Sequence, residues 1–322
     1  MITVASMLPL YRRIGMDPLK MTCVTILAGG VMNLTPWGGP MARAASALHV
    51  DPSEIFNPFI PVMVLGIAGV IGLSYYLGLR ERQRLVTQGS IVGVAEKSPA
   101  APGKGQPPEA LGWPKLFWFN ALLTVALLAG LILDVLPLPI LFMTAFAIAI
   151  LVNFPRVEDQ RERIAHHAKN VLAVVSLIFA AGVFTGILNQ TGMVEAMSNT
   201  LLNLLPAEAG PFLAPILAIA SLPLTFFISN DAFYFGVLPI ATQAAAAYGI
   251  TPIEMARASL AGQPVHLLSP LVPSTYLLVG MAGVEFGDHQ RFTLKWAAGI
   301  CMILLVGSLL LGLFPLASAG AR

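Results

Sequence analysis

Two hydrophobic segments of this chain are each interrupted at a proline, and the interruptions are spaced alike. In the first segment, Pro18 closes a Gly-Met-Asp-Pro turn and Pro36 closes Asn-Leu-Thr-Pro. In the second, Pro252 closes Gly-Ile-Thr-Pro and Pro270 closes His-Leu-Leu-Ser-Pro, again 18 positions later. Paired, proline-interrupted segments in two halves of a chain indicate a secondary transporter built from structural repeats, with its binding site at the interruptions.

The composition indicates that a bilayer surrounds much of the chain. Its 322 residues are 57% hydrophobic and 11% charged, whereas an ordinary soluble domain carries roughly 25% charged residues. The mean hydropathy is +0.79. A net charge of +2 is too small to indicate a nucleic-acid partner. We therefore expect an all-α, polytopic membrane protein in the lipid bilayer.

Seven apolar segments are candidates for crossing the membrane, because about 18 residues of helix span a hydrocarbon core of about 30 Å. Two of them, 19–48 and 253–283, are interrupted and are interpreted as broken helices. Unwound backbone at membrane depth is tolerated only where protein or a water-filled cavity satisfies its polar groups. A proline kink without a ligand is the alternative. The five continuous candidates are 57–79, 116–134, 137–154, 170–190 and 292–315.

A re-entrant helical hairpin is predicted between residues 211 and 247. The apolar arm 211–230 contains two prolines and ends in the polar run Ser229, Asn230 and Asp231, after which 232–247 is apolar again. The polar run would form the tip of the hairpin. Two ordinary spans joined by a surface turn are the alternative interpretation.

The distribution of basic residues predicts the orientation. Lys and Arg concentrate in 80–115 and 156–169, which places both segments in the cytoplasm. Segments 49–58 and 191–211 contain acidic residues without Lys or Arg and are predicted to be outside loops. Counting spans then puts the turn before Pro18 inside and its counterpart outside, so the repeats are inverted. The polar segment 155–169 is predicted to be an interfacial helix.

These features divide the chain into two repeats and a linker. Residues 1–79 are interpreted as the C-terminal part of a first repeat, 80–115 as a cytoplasmic linker and 116–322 as the second repeat. Three spans precede the hairpin in the second repeat, and none precedes the corresponding arm in the first. On this comparison we expect the chain to lack the first three spans and one hairpin arm of a complete transporter.

Four runs of residues carry a resemblance to a known family: 7–11, 30–40 with Arg43, 227–236, and 264–270 with 273–275. With these runs the chain resembles the citrate–metal:proton symporter family of the ion transporter superfamily. The resemblance implies uptake of citrate complexed to a divalent metal such as magnesium or calcium, driven by proton entry. The metal would be carried as part of the substrate, with no resident cofactor. We expect the protein in the bacterial cytoplasmic (inner) membrane, and a homodimer is one arrangement left open.

Citrate carries carboxylates and a hydroxyl, so its site needs hydrogen-bond donors and exposed helix N-termini. The two breaks and the hairpin tip contain such groups, although ordinary helix caps are the alternative for the hydroxyl and amide residues. The predicted substrate-binding residues are Asn33, Thr35, Pro36, Gly38, Gly39, Arg43, Ser229, Asn230, Ser269, Ser274 and Thr275.

Three ionisable residues near the interruptions carry the strongest functional hypotheses. An ionisable side chain within a membrane is energetically costly, so its presence suggests a function. The carboxylate oxygens of Asp231 could bind the substrate-borne metal, or the carboxylate could take the proton. His266 could relay protons, with a packing role as the alternative. Arg43 could pair with a substrate carboxylate, with a salt bridge or snorkelling as the alternatives.

The sequence leaves two alternative functions open. A carrier of free di- or tricarboxylates coupled to sodium would keep the same fold, and a fragment that is inactive without its missing spans is a third hypothesis. An enzyme is not expected, because the spans contain no nucleophile–base pair or zinc-ligand motif.

Overall fold

The computed structural model describes residues 2–87, 116–133, 136–204 and 206–318, and all regular structure in these ranges is helical. This confirms the predicted all-α fold. Most of the predicted linker, 88–115, lies outside the described residues. The helices are α1 Ile2–Arg13, α2 Pro18–Met32, α3 Gly39–Leu48, α4 Pro52–Thr87, α5 Phe117–Ile132, α6 Leu138–Asn153, α7 Val157–Gln190, α8 Met193–Leu204, α9 Leu213–Phe227, α10 Leu238–Ala246, α11 Pro252–Ser259, α12 Gln263–His266, α13 Pro273–Ala282 and α14 Phe286–Leu310.

Three helical stretches within the described residues are long and apolar enough to cross a membrane. They are α4, α14, and the stretch Glu208–Phe227, which includes all of α9. The helices α5 and α6 are apolar but have only 16 residues each, so they are shorter than the spans predicted at 116–134 and 137–154. The chain is a multi-pass membrane protein.

The chain forms two compact units. One comprises Met1–Lys97 and Gly182–Arg322, and therefore holds both broken helices and the hairpin; the other is Ser98–Ala181. In the second unit, α5 and α6 are joined by reciprocal amide hydrogen bonds between Asn120 and Asn153, with N···O distances of 2.8 and 2.9 Å. Such paired side-chain amides satisfy each other where no water is present.

Two predicted segments differ from the structure. The polar segment 155–169 is not a separate interfacial helix, because α7 continues without a break from Val157 to Gln190. The segment 191–211 is not a simple loop either. It contains the 12-residue helix α8, whose Val194 and Ser198 are buried and which packs against α10.

Equivalent helices of the two repeats run antiparallel, as inverted repeats require. Arg257 donates to the backbone oxygens of Glu54, near the start of α4, and of Leu313, just beyond α14, at 2.6 and 3.3 Å. Near the other end of α4, the ring of Tyr76 lies 5.7 Å from that of Trp296, close to the start of α14. The start of one helix therefore lies beside the end of the other. This antiparallel packing of α4 and α14 is what the predicted inverted arrangement requires.

The two repeats also begin their broken helices in the same way. Gly15 and Gly249 each lie three residues before a proline and adopt left-handed φ angles of 72° and 75°, which favour glycine. The side chain of Asp17 then caps α2, and Thr251 caps α11 in a capping box with Glu254. Both helices start with proline, which lacks the N–H that a first turn leaves unpaired.

A buried carboxylate fixes the end of α4 to the turn between α1 and α2. Glu81 has no exposed side-chain surface, accepts from the backbone N–H of Asp17 at 3.0 Å, and forms ion pairs with Lys20 and Arg84. Because α4 remains helical to Thr87, the first eight residues of the predicted linker 80–115 are part of this helix. Packing against the turn explains why the helix extends so far.

Candidate functional site

The hairpin predicted around residues 211–247 is present. Helix α9 ends at Phe227 because Ile228 is extended, and a π-helical segment, Ala232–Val237, leads from the tip into α10. The far ends of the two arms meet, since a Cβ added at Gly210 would lie 1.9 Å from the ring of Tyr248. Residues 229–231 therefore form the tip of a closed helical hairpin.

The first break is a tight turn between α2 and α3. Asn33 donates its N–H to Gly29 O at 2.9 Å, and Gly38 donates to Thr35 O at 2.7 Å. A Cβ at Gly38 would lie 1.9 Å from the carbonyl oxygen of Asn33. Only glycine fits there, so the turn brings α3 directly beside Asn33.

The second break lies between α12 and α13, and other parts of the protein satisfy its carbonyl groups. Gln290 on α14 donates to Leu268 O at 2.7 Å, and the hydroxyl of Thr275 donates to Leu267 O. Non-helical backbone within a membrane requires such partners. The interruption is therefore an unwound segment rather than a simple kink.

The two breaks and the hairpin tip line one cavity of about 400 Å³. This volume is in the range of small-molecule sites, about 300 to 1,000 Å³. Besides four apolar residues and Pro40, the lining contains seven of the residues predicted from the sequence. They are Asn33, Gly39, Arg43, Ser229, Asn230, Asp231 and His266.

The other six predicted residues lie around the breaks but do not line the cavity. The hydroxyls of Thr35 and Thr275 donate to backbone oxygens, to Met32 O at 3.1 Å and to Leu267 O, and that of Ser269 accepts from Leu271 N at 3.2 Å. These three hydroxyls hydrogen-bond to the backbone of the breaks in the structure, and their role in substrate binding stays a prediction. Gly38 and Pro36 are buried, and Ser274 is exposed.

An ion pair crosses the cavity between the repeats. The Nε of Arg43, on α3, donates to Oδ1 of Asp231, at the hairpin tip, over 2.6 Å. Both side chains are partly exposed, at 26% and 38%. The salt bridge left open as an alternative for Arg43 is thus present, and it places one positive and one negative group at the same site.

His266 also faces two elements of the site. Its Nδ1 lies 2.6 Å from the carbonyl oxygen of Thr225, on α9. A carbonyl can only accept, so Nδ1 carries a proton, and in the neutral ring Nε2 is left as an acceptor. The imidazole therefore fastens the break to the hairpin and keeps one nitrogen that can gain a proton.

A buried glutamine, which we did not predict, holds Asn230 in place. Gln263 Nε2 lies 2.8 Å from the hydroxyl of Tyr234, which donates to Ser259 O at 3.5 Å. The amides of Gln263 and Asn230 face each other at 3.3 and 3.4 Å. Because the tyrosine donates to a carbonyl, its oxygen accepts from Gln263, which fixes the orientation of both amides.

Comparison with known proteins identifies the family. The model of the citrate transporter family matches residues 1–262, which include the first break and the hairpin. The chain belongs to this family. It is 56% identical over 313 residues to a citrate transporter of Bacillus subtilis strain 168, with 97% of this chain and 72% of the relative covered.

Two further relatives come from the same organism. A Mg(2+)/citrate complex secondary transporter is 47% identical over 97% of this chain and 71% of its own length, and an uncharacterised transporter is 42% identical over 97% and 72%. No solved structure matches the chain. The citrate transporter family and these relatives are transporters and not enzymes.

In a citrate transporter, the amide pair at the tip predicts a measurable effect on substrate affinity. Gln263→Leu keeps the side-chain volume but leaves Asn230 without its partner. We expect the KM for citrate to rise about tenfold, which corresponds to about 1.4 kcal/mol and to the typical cost of one or two buried hydrogen bonds. Initial rates of radiolabelled citrate uptake measure it.

Thr242→Val is the matched control, because Thr242 is also buried and polar but donates only to Leu238 O of its own helix. Its KM should remain at the wild-type value. Equal KM values in both variants would show that Gln263 does not orient the tip.

Proposed function

We propose that this member of the citrate transporter family takes up citrate complexed to a divalent metal ion, with proton entry as the driving force. The observation that carries the proposal is the Arg43–Asp231 pair in the cavity. A metal–citrate complex has carboxylates that bind to cations and a metal ion that is coordinated by anionic oxygens. The guanidinium of Arg43 can bind a citrate carboxylate, and the carboxylate of Asp231 can coordinate the metal.

The charge balance favours the complex over free citrate. Free citrate presents several carboxylates, and the acidic side chain of Asp231 would repel them. A bound divalent ion reverses this effect, because the carboxylate oxygen that does not pair with Arg43 is a suitable magnesium or calcium ligand. A relative is named a Mg(2+)/citrate complex secondary transporter, which supports the same substrate class.

The metal would travel as part of the substrate, and no resident cofactor is proposed. Within the ranges described by the structure, no group of three or more His, Cys, Asp or Glu side chains could hold a metal ion. Asp231 therefore would supply one ligand while citrate oxygens supply others. The neutral donors Asn33, Ser229 and Asn230 would orient the remaining citrate oxygens.

The proposed location is the bacterial cytoplasmic membrane. The basic turn near Arg12 and Arg13 and the basic end of α4 would face the cytoplasm by the positive-inside rule. The relatives from Bacillus subtilis are consistent with this membrane. Uptake would then move the substrate from the side of the Pro252 turn to that of the Pro18 turn.

Uptake measurements test the substrate and the coupling ion. In proteoliposomes, radiolabelled citrate should enter only with a divalent metal, and an imposed inward proton gradient should accelerate it without sodium. Dependence on sodium, with metal-free citrate as the preferred substrate, would instead support the alternative of a free tricarboxylate carrier. The same vesicles without protein provide the background.

His266 is proposed as the group that relays the coupled proton. His266→Gln retains a hydrogen-bond donor for Thr225 O but cannot gain a proton in the physiological range. We expect uptake to lose most of its dependence on pH while the protein remains in the membrane at normal abundance. A wild-type pH profile would refute the relay and leave Asp231 as the proton carrier.

A further inference from the structure

A second cavity lies between the last helices of the two repeats and shares no lining residue with the cavity that holds the ion pair. It is an apolar groove of about 400 Å³ between α4 and α14. Both helices are long and apolar enough to cross the membrane, so the medium around them is lipid. Its lining includes Gly69, Gly72, Tyr76, Trp296, Gly299 and Ile303.

Glycines keep this groove open. A Cβ at Gly69 would come within 2.8 Å of Ile303, so the two helices approach closely there. At Gly72 and Gly299, by contrast, no atom in the described part of the protein lies within 4 Å of an added Cβ, apart from the adjoining turns of the same helix. The groove is therefore empty space that a side chain at either position would fill without meeting the rest of the protein.

Two cations stand at one end of the groove. Because α4 and α14 are antiparallel, Arg80 and Lys295 lie at the same end. The guanidinium of Arg80 lies 4.9 Å from the ring of Tyr76, and Nζ of Lys295 lies 5.3 Å from that of Trp296. Aromatic rings with basic residues are typical of a membrane–water interface, and this end is the one predicted to be cytoplasmic.

We propose that the groove binds an anionic phospholipid of the cytoplasmic leaflet. One acyl chain would lie along Gly72 and Gly299, and the negative headgroup would sit between Arg80 and Lys295. The apolar lining leads along the groove to the rings of Tyr76 and Trp296, and the two cations lie over these rings. Basic pockets between membrane helices on the cytoplasmic side are suited to such headgroups.

Lipid-dependent stability tests the proposal on the purified protein in detergent. Dioleoyl phosphatidylglycerol should raise the Tm by about 3 °C more than dioleoyl phosphatidylcholine, since a ligand bound only by the folded state stabilises it. Native mass spectrometry should show one retained phosphatidylglycerol. Gly72→Leu should abolish both effects, whereas Gly78→Leu should keep them, because Gly78 has the same open surroundings on α4 but does not line the groove.

The headgroup is tested separately with Arg80→Gln combined with Lys295→Gln. This variant should bind phosphatidylglycerol and phosphatidylcholine equally. Gly299→Leu serves if Gly72→Leu does not elute as a single species. Equal stabilisation of the wild type by both lipids would overturn the proposal, as would a lipid effect that survives filling the groove. A lipid-independent dimer that Gly72→Leu dissociates would assign the groove to a second copy of the chain and would overturn it too.

Discussion

Asp231→Asn is expected to reduce metal-dependent citrate uptake about tenfold or more, because a hydrogen bond to a charged group contributes about 1.5 kcal/mol or more. The substitution leaves Arg43 without its anion and removes the only carboxylate among the cavity-lining residues in the described ranges. The amount of protein in the membrane should fall much less than the uptake. Initial rates, normalised to abundance on immunoblots, measure the effect across several metals and pH values.

Asp51→Asn is the matched control for this change. Asp51 accepts from the backbone N–H of Ser53 at 2.8 Å before α4 and lies outside the cavity. Asparagine caps a helix about as well as aspartate, so uptake should remain normal. If Asp231→Asn instead shows wild-type kinetics with every metal, Asp231 has no role as a metal ligand or proton carrier.

Gly38→Ala is expected to leave no measurable uptake. The backbone angles of Gly38, φ −68° and ψ 144°, suit any residue, so the effect is purely steric. The new Cβ would lie 1.9 Å from Asn33 O and 2.9 Å from Thr35 O, and both are backbone atoms that cannot rotate away. Overpacking of this kind costs about 3 kcal/mol. The first break must therefore rearrange, which displaces Asn33 and Arg43 together.

Gly280→Ala provides the comparison, because Gly280 lies on α13 after the second break. No described residue outside the adjoining turns of α13 comes within 4 Å of its added Cβ. Uptake of radiolabelled citrate and the Tm of both purified variants would be measured. Normal uptake by Gly38→Ala would mean that the close turn of the first break is not needed for transport.

The interruptions could be predicted because their cause is local. Proline and glycine stop an apolar helix wherever they occur, and the same spacing in both halves revealed the repeat. The continuity of α7 has a local signal as well, since no proline or glycine separates its polar start at Val157 from residue 181. The charged residues at that start led to the prediction of a separate interfacial helix, but charged residues do not end a helix.

The sequence predicted which segments line the cavity better than it predicted the contacts that their side chains make. Seven predicted residues line the cavity because the breaks and the tip meet there. The hydroxyls of Thr35 and Thr275 lie at the same breaks, but each has a backbone oxygen within reach, and sequence does not show which oxygen a break exposes. Gln263 had no visible signal, because its partners Asn230 and Tyr234 come from a segment about 30 residues away.

The ion pair between Arg43 and Asp231 also has a consequence for biosynthesis. The two residues are 188 positions apart, so the arginine leaves the ribosome long before its partner exists. At about 5 to 20 residues per second, the interval is roughly 10 to 40 s. During that time the guanidinium must be accommodated by lipid headgroups, water or the insertion machinery. The cavity is therefore among the last parts of the nascent protein to be completed, and a ribosome stalled before Asp231 would leave a charged half-site in the membrane.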